Sequence, residues 1–226
     1  MHYGFKMKYN KIDSNQNRNF LIPEIDFLLN EALALYVNII AFPRNIASQG
    51  FELGQRTIDN IRPLVVSGEV PVQGDIAPLP ENYWHFVSGT ASCTKDSCTR
   101  NDIRLFPQQT EDLFQESKIY NSDFLWGTLN CTFTSEGLKV YPKDFSVEKL
   151  KLNYIKLHPY MHNARDWEGG QYKNFKEEIL TNHQNCELPD DSCKDIVDIA
   201  VFLASNSIQD SGYNAIKEKL TFNQTN

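Results

Sequence analysis

LNCTFTSEGLKVYPKDFSVEKLKLNY, residues 129–154, is the stretch whose period decides the fold. Leu150, Leu152 and Tyr154 alternate with Lys149, Lys151 and Asn153, which is the two-residue repeat of a strand with one face buried. Residues 129–134 and 138–141 flank Ser135-Glu136-Gly137, a hairpin turn in which glycine supplies positive φ. Upstream, residues 83–87 are aromatic and β-branched, and residues 102–106 alternate. The middle third therefore reads as a small antiparallel sheet, with one short helix expected at 110–117.

Outward from the sheet the period lengthens to that of helices. Phe5, Tyr9 and Ile12, spaced by four and three, share one helical face. A polar loop, Asp13-Ser14-Asn15-Gln16-Asn17, follows. Pro23 then suits a first helical position, where its missing N–H costs nothing. Glu24 and Asp26 lie in the first turn, where the helix dipole favours negative charge. Ile25, Leu28, Leu29, Ala32, Tyr36, Ile39 and Ile40 follow at helical spacing, and Leu33, Leu35 and Val37 widen the apolar face. A third helix is expected over 49–62 from Phe51, Ile58 and Ile61, ended by Pro63 and weakened at Gly54. In the last third, Pro189 opens a helix with Asp190 and Asp191 in its first turn. Ile196, Ile199, Ala200, Leu203, Ala204, Ser207 and Ile208 continue it, Gly212 ends it, and the tail at 221–226 is polar.

Between these blocks, residues 68–80 carry Pro71, Pro78 and Pro80 with two glycines, the composition of a linker or extended arm. The expected organisation is a helical part at 1–66, this arm at 67–80, an antiparallel β module at 81–160 and a helical part with a tail at 161–226. The fold class is α+β: a helical bundle from the two terminal segments with a central antiparallel β module, forming one compact unit.

With 226 residues the chain can bury a core without a covalent staple. Hydrophobic residues make up 41% and charged residues 23%, which is ordinary globular composition. A formal charge of -7, with no basic run, makes the chain a poor non-specific binder of nucleic acid. It has no apolar run long enough to span a membrane, and its first ten residues do not read as a signal peptide. Five cysteines, an odd number, argue against a disulfide framework. These features give the expectation of a protein made in the cytoplasm with reduced thiols.

Searches for chemistry return little. Cys93 and Cys98 form C-x4-C, a tolerable zinc spacing, but Cys186 and Cys193 form C-x6-C, which is too wide, and no His stands three to five residues after either pair. His158 and His162 are four apart, but Pro159 pushes His158 out of helical geometry and no Glu stands between them. No nucleophile elbow, phosphate loop or dinucleotide fingerprint occurs. The paired acids Glu111/Asp112, Glu177/Glu178 and Asp190/Asp191 fall near helix ends or on solvated faces. Trp84, Trp126 and Trp167 could form a sugar platform, but such residues are more often core or interface anchors. No catalytic residue, metal or cofactor is expected. An enzyme would require a pocket holding one cysteine beside His85, His158, His162 or His183.

Three blocks in order carry a resemblance. The first is Phe5-Lys6-Met7-Lys8, Lys11-Ile12-Asp13-Ser14-Asn15 and Pro23-Glu24-Ile25-Asp26-Phe27-Leu28-Leu29-Asn30-Glu31-Ala32, continuing to Gly50-Phe51-Glu52 and Gln55-Arg56-Thr57-Ile58-Asp59-Asn60-Ile61. The second is Leu79-Pro80-Glu81-Asn82-Tyr83 with Leu138-Lys139-Val140-Tyr141-Pro142 and Leu152-Asn153-Tyr154-Ile155-Lys156. The third is Glu187-Leu188-Pro189-Asp190 followed by Ile196-Val197-Asp198-Ile199-Ala200. Together they resemble virion structural proteins of short-tailed, crAss-like bacteriophages, and among these the portal-adjacent ring protein at the head-to-tail junction. The resemblance implies a structural, non-enzymatic subunit located in the virion. Copies would form a twelve-fold ring on the portal protein, contact other tail ring proteins and let genomic DNA pass through the lumen without sequence-specific binding. No membrane or cofactor is implied. On composition, Pro71, Pro78 and Pro80 in the arm, with Tyr213, Ile216, Leu220 and Phe222 in the tail, are the expected partner-binding residues. A glycan- or receptor-binding tail module is the alternative.

Overall fold

Whether the alternating runs pair, and in which direction, is answered by a computed structural model that describes residues 1–12, 20–41, 59–108 and 121–207. The chain is α+β, and its contacts divide it into two compact units: Leu64–His158, and Met1–Pro63 together with Pro159–Asn226.

In the first of these units, seven strands among the described residues form one sheet. They are β1 (Val65–Pro71), β2 (Ile76–Ala77), β3 (Tyr83–Lys95), β4 (Cys98–Pro107), β5 (Thr128–Thr134), β6 (Gly137–Val140) and β7 (Ser146–Lys156), in the order β1-β7-β3-β4-β5-β6-β2. The alternation in β7 fixes the register of four strands. Val70, Leu150, Ala91 and Ile103 are successive cross-strand partners on β1, β7, β3 and β4, and all four are buried. One residue along, Glu69, Lys151, Thr90 and Arg104 form the matching row on the opposite face. Gly89 completes the packing, because a Cβ there would stand 2.6 Å from Leu105 Cδ1 and 3.2 Å from Leu152 Cδ2. The core continues through Leu129, Leu138, Val140, Phe124 and Phe145.

The sheet must curl. Laid flat, its first and last strands would be about 29 Å apart at ordinary strand spacing. Yet Pro71 ends β1 and Ile76 begins β2, and five peptide steps reach about 17 Å at most. β-bulges in β3, between Tyr83 and His85, Phe86 and Ser88, and Ser92 and Cys93, supply local bending.

Two sequence expectations are corrected here. Residues 67–80, read as a linker or arm, are largely part of the sheet. Pro71 is tolerated because β1 is an edge strand, and Pro78 and Pro80 follow β2, where no ladder N–H is required. The sheet is also mixed rather than antiparallel, since β4 and β5 pair in parallel from Arg104 with Thr128 to Pro107 with Cys131. The long connection between Pro107 and Thr128 provides the crossover that a parallel pair needs. The hairpin at residues 129–141 forms as expected, with Thr134 opposite Gly137. A hairpin the sequence reading did not single out joins β3 to β4. It turns at Asp96 and Ser97, both at positive φ (47° and 68°), between the paired Lys95 and Cys98.

The second unit holds α1 (His2–Ile12), α2 (Ile22–Ala41), α3 (Asp190–Ser207), a small hairpin of β8 (Gln171–Lys173) and β9 (Ile179–Thr181), and short 3-10 turns. The described part is thus helices plus a hairpin and loops, not helices alone. α1 buries Phe5 and Tyr9, whose rings pack edge-on against Phe20 at 5.6 and 4.9 Å. Leu29, Ala32, Leu33 and Val37 of α2 and Ile196, Ala200 and Ala204 of α3 are among the buried residues that continue its core. Glu24 caps the entry to α2, its Oε2 accepting the Leu21 N–H at 2.9 Å. The expected third helix is helical at residues 59–61, and the rest of it lies outside the described residues, as do the polar loop, the short helix at 110–117, Gly212 and the tail.

Gly137 offers a direct test of the curled sheet. Its φ is +143°, and a Cβ there would sit 2.3 Å from the Ala77 carbonyl oxygen of β2. Gly137→Ala is expected to lower the stability of the sheet unit by about 3 kcal/mol in urea unfolding, because backbone cannot yield as a flexible side chain can. A loss below about 0.5 kcal/mol would contradict the close approach of β2 to β6.

Candidate functional site

The sheet unit presents its two most exposed large apolar side chains, among the described residues, on a hydrogen-bonded support. Asp123 and Thr128 close a small loop by exchanging backbone hydrogen bonds at 2.9 and 3.0 Å. Asp123 Oδ1 also accepts the N–H groups of Leu125 at 2.7 Å and Trp126 at 2.9 Å. Arg100 grips the loop from β4, donating through Nη1 to the carbonyls of Phe124 at 2.6 Å and Leu125 at 3.0 Å. Asp102 holds that guanidinium in a fork, at 3.0 Å to Nε and 2.8 Å to Nη2. Gly127, at φ +67°, turns the chain back into β5, and its carbonyl accepts the Arg104 N–H at 2.8 Å. Phe124 points into the core beside Phe145. Leu125 and Trp126 point out, 83% and 85% exposed.

Most of the backbone of this loop is hydrogen-bonded to the protein, so the two exposed side chains stand on a preorganised platform. A rigid, solvent-facing Trp-Leu pair is what an interface anchor looks like before its partner arrives. The sequence reading singled out Trp126 but missed Leu125 and the Asp123–Arg100–Asp102 support. The local signal was Asp123 followed by Gly127, a side-chain-capped turn; the Arg100 contribution comes from a different strand.

Trp84 is half-buried, with its ring 4.7 Å from that of His85, and Trp167 belongs to the other unit. Among the expected partner-binding residues, Pro71 ends β1 and is exposed, and Pro78 is exposed after β2. Pro80 is half-buried, its carbonyl accepting the Tyr83 N–H at 2.9 Å. Tyr213, Ile216, Leu220 and Phe222 lie outside the described residues.

The helical unit contains a polar hub. Asp26, read from sequence only as a dipole-favoured helix residue, is 1% exposed. Its Oδ1 lies 2.6 Å from His2 Nε2, and its Oδ2 accepts the Tyr172 hydroxyl at 2.6 Å and the Asn163 N–H at 3.0 Å. One helical turn on, Asn30 pairs with both backbone groups of Met161, accepting its N–H at 2.8 Å and donating to its carbonyl at 2.7 Å. Beside this hub opens a cavity of about 600 Å³, lined by residues that include His2, Asp26, His162, His183, Cys186 and Cys193.

This cavity brings cysteines near histidines, as an enzyme reading requires. Burial pushes the Cys186 thiol up to about 12, so it is not a thiolate at neutral pH. Both ring nitrogens of His162 face carbonyl oxygens, of Tyr160 and Thr181, each at 3.0 Å. No group of three or more metal-ligating side chains occurs among the described residues. Cys93 and Cys98 are not a ligand pair either, since Cys93 points into the sheet core and Cys98 is exposed across the hairpin. Comparison with models of known protein families and with curated proteins gives no match.

The hub makes two testable demands. Asp26→Ala strands the Tyr172 hydroxyl and the Asn163 N–H, so it is expected to cost about 2–4 kcal/mol in denaturant unfolding; a change within 0.5 kcal/mol would refute the hub. Burial, aided by Asp26, also raises the phenols of Tyr160, to about 12, and Tyr172. Both hold their protons more tightly folded than unfolded. Their stabilisation is therefore complete below pH about 10 and is lost as pH rises through 10 towards 12. Absorbance at 295 nm should show these two tyrosines ionising only together with the loss of helical circular dichroism.

Proposed function

We propose that the chain is a structural virion protein of a bacteriophage: an adaptor subunit, not an enzyme, in a ring between the portal and the tail. The ordered likeness of three sequence blocks to crAss-like ring proteins supports this reading. The observation that carries it in three dimensions is the braced loop presenting Leu125 and Trp126 to solvent. Burying both side chains in a partner is worth about 3–6 kcal/mol of gross hydrophobic free energy, enough to dominate a subunit contact. On the helical unit, Phe27, Leu35 and Ile39 along α2, with Leu21 just before it, add further exposed apolar surface, which subunits packed side by side would cover.

In this reading copies form a closed heterologous ring, proposed to be twelve-fold, on the portal protein and beneath the next tail component. DNA passes through the lumen, and a net charge of -7 suits a channel that must not grip phosphate. A second reading is favoured by the same exposed Trp126: the indole as a stacking face for a sugar ring, in a receptor-binding tail module.

The test is cryo-electron microscopy of the portal vertex of the intact particle, paired with Trp126→Ala. A ring of these chains stacked on the portal is expected, together with a loss of at least about 30-fold in ring-to-portal affinity in the variant at unchanged melting temperature. A trace of the chain elsewhere in the particle, or none, overturns the adaptor reading. Glycan binding that Trp126→Ala abolishes would then establish the second.

A further inference from the structure

The cavity beside Asp26 carries two thiols that the interaction reading does not use. Cys186 lies in the segment before α3, and Cys193 lies in the first turn of α3. The chain between them doubles back through Leu188 and Pro189, and the Cys193 N–H donates to the Pro189 carbonyl at 3.0 Å. Both cysteines therefore flank one turn and line the same cavity. Cys193 Sγ donates to the Leu188 carbonyl at 3.5 Å, and the Cys186 thiol lies near enough to the Leu188 backbone and the Cys193 thiol to be influenced by both. Both residues are half-buried, and both line a cavity large enough to admit a small solute.

The other three cysteines lack this arrangement. Cys93 and Cys131 are sealed in the core of the sheet, and Cys98 is exposed on a hairpin. We infer that Cys186 and Cys193 are a redox pair that closes to an intramolecular disulfide when the protein meets a small disulfide oxidant such as glutathione disulfide.

The exchange balances in two steps. The Cys193 thiolate attacks one sulfur of glutathione disulfide, forming a mixed disulfide and expelling one glutathione thiolate. Cys186 then loses its proton and attacks the Cys193 sulfur, expelling the second glutathione. Two electrons pass from the cysteine sulfurs to glutathione, and the two thiol protons end on the two glutathione molecules. Burial keeps Cys186 protonated, which assigns it the second, intramolecular step, where the proximity of the sulfurs compensates for low thiolate content. The closed ring ties the first turn of α3 to the segment before it, so the disulfide stabilises that rim of the cavity. None of this depends on the adaptor reading.

The test uses the intact protein, incubated with glutathione disulfide at pH 8 and quenched with iodoacetamide. Digestion after glutamate cuts at Glu187, between the two cysteines. The expected product is a pair of peptides joined through Cys186 and Cys193, separated by reduction, with a melting temperature a few degrees above that of the reduced protein. In Cys186→Ser the same treatment should leave a glutathione adduct on Cys193 instead. Full alkylation of both cysteines after oxidant, or stable glutathione adducts on both without a link, would overturn the pairing. Because the wild-type digest reads the link directly, the outcome does not require the variant to fold.

Discussion

The register of β7 is the constraint on which the sheet unit depends. Leu150 and Leu152 face inward between strands on both sides, with Lys149 and Lys151 facing out. A slip of one residue would put two leucines in water, losing about 1.5–3 kcal/mol each, and drive two lysines into the core at greater cost. Because β7 pairs with β1 on one side and β3 on the other, the slip would have to be matched by both neighbours. The penalty therefore falls on three strands at once, and through Ala91 and Ile103 on a fourth. A seven-stranded sheet with one parallel pair among the described residues gets its uniqueness from this row.

The helical unit uses a different device. Its apolar faces are interchangeable in kind: leucines, isoleucines and alanines that would pack in several arrangements at similar energy. Asp26 removes that freedom. Its buried oxygens are satisfied only when His2, Asn163 and Tyr172, which lie 24, 137 and 146 residues away in sequence, all converge on it. Any arrangement that misplaces one of them leaves a buried polar atom unpaired, at about 1–3 kcal/mol. The hub thus contributes less to net stability than to the choice of one packing among many.

This contrast explains what was legible in the sequence. The α+β class, α1, α2, α3, β7 and the hairpin at residues 129–141 each follow from a repeat that the neighbouring residues display. Direction and partner do not. Nothing within residues 102–106 or 129–134 says that these strands lie parallel, because that depends on where the intervening chain travels. Residues 67–80 were misread for a related reason. Pro71, Pro78 and Pro80 mark a broken element to any local rule, but an edge strand and a strand exit leave proline nothing to break. Asp26 read as a helix-start acid because its partners are remote. Trp126 drew notice for its size alone, since the brace from Arg100 is invisible without the sheet that brings β4 beside the loop.

That brace also bears on why the anchor is rigid. A Trp-Leu tip on a mobile loop would lose conformational entropy on docking, about 0.5–1.5 kcal/mol for each immobilised side chain and more for the backbone. Here Asp123, Arg100 and Asp102 have already fixed the backbone, so the entropy is lost on folding, and a partner meets a surface close to its bound form. The arrangement carries a liability, because two exposed apolar side chains also favour unwanted association. Arg100 and Asp102 at the base of the loop, and the chain's net negative charge, oppose that by keeping the surroundings hydrated and mutually repulsive. An exposed apolar pair with no role would be expected on an unsupported loop. Here a guanidinium, two carboxylates and a positive-φ glycine all hold one four-residue loop still, and that expenditure of polar groups is intelligible when the position of Leu125 and Trp126 is what matters.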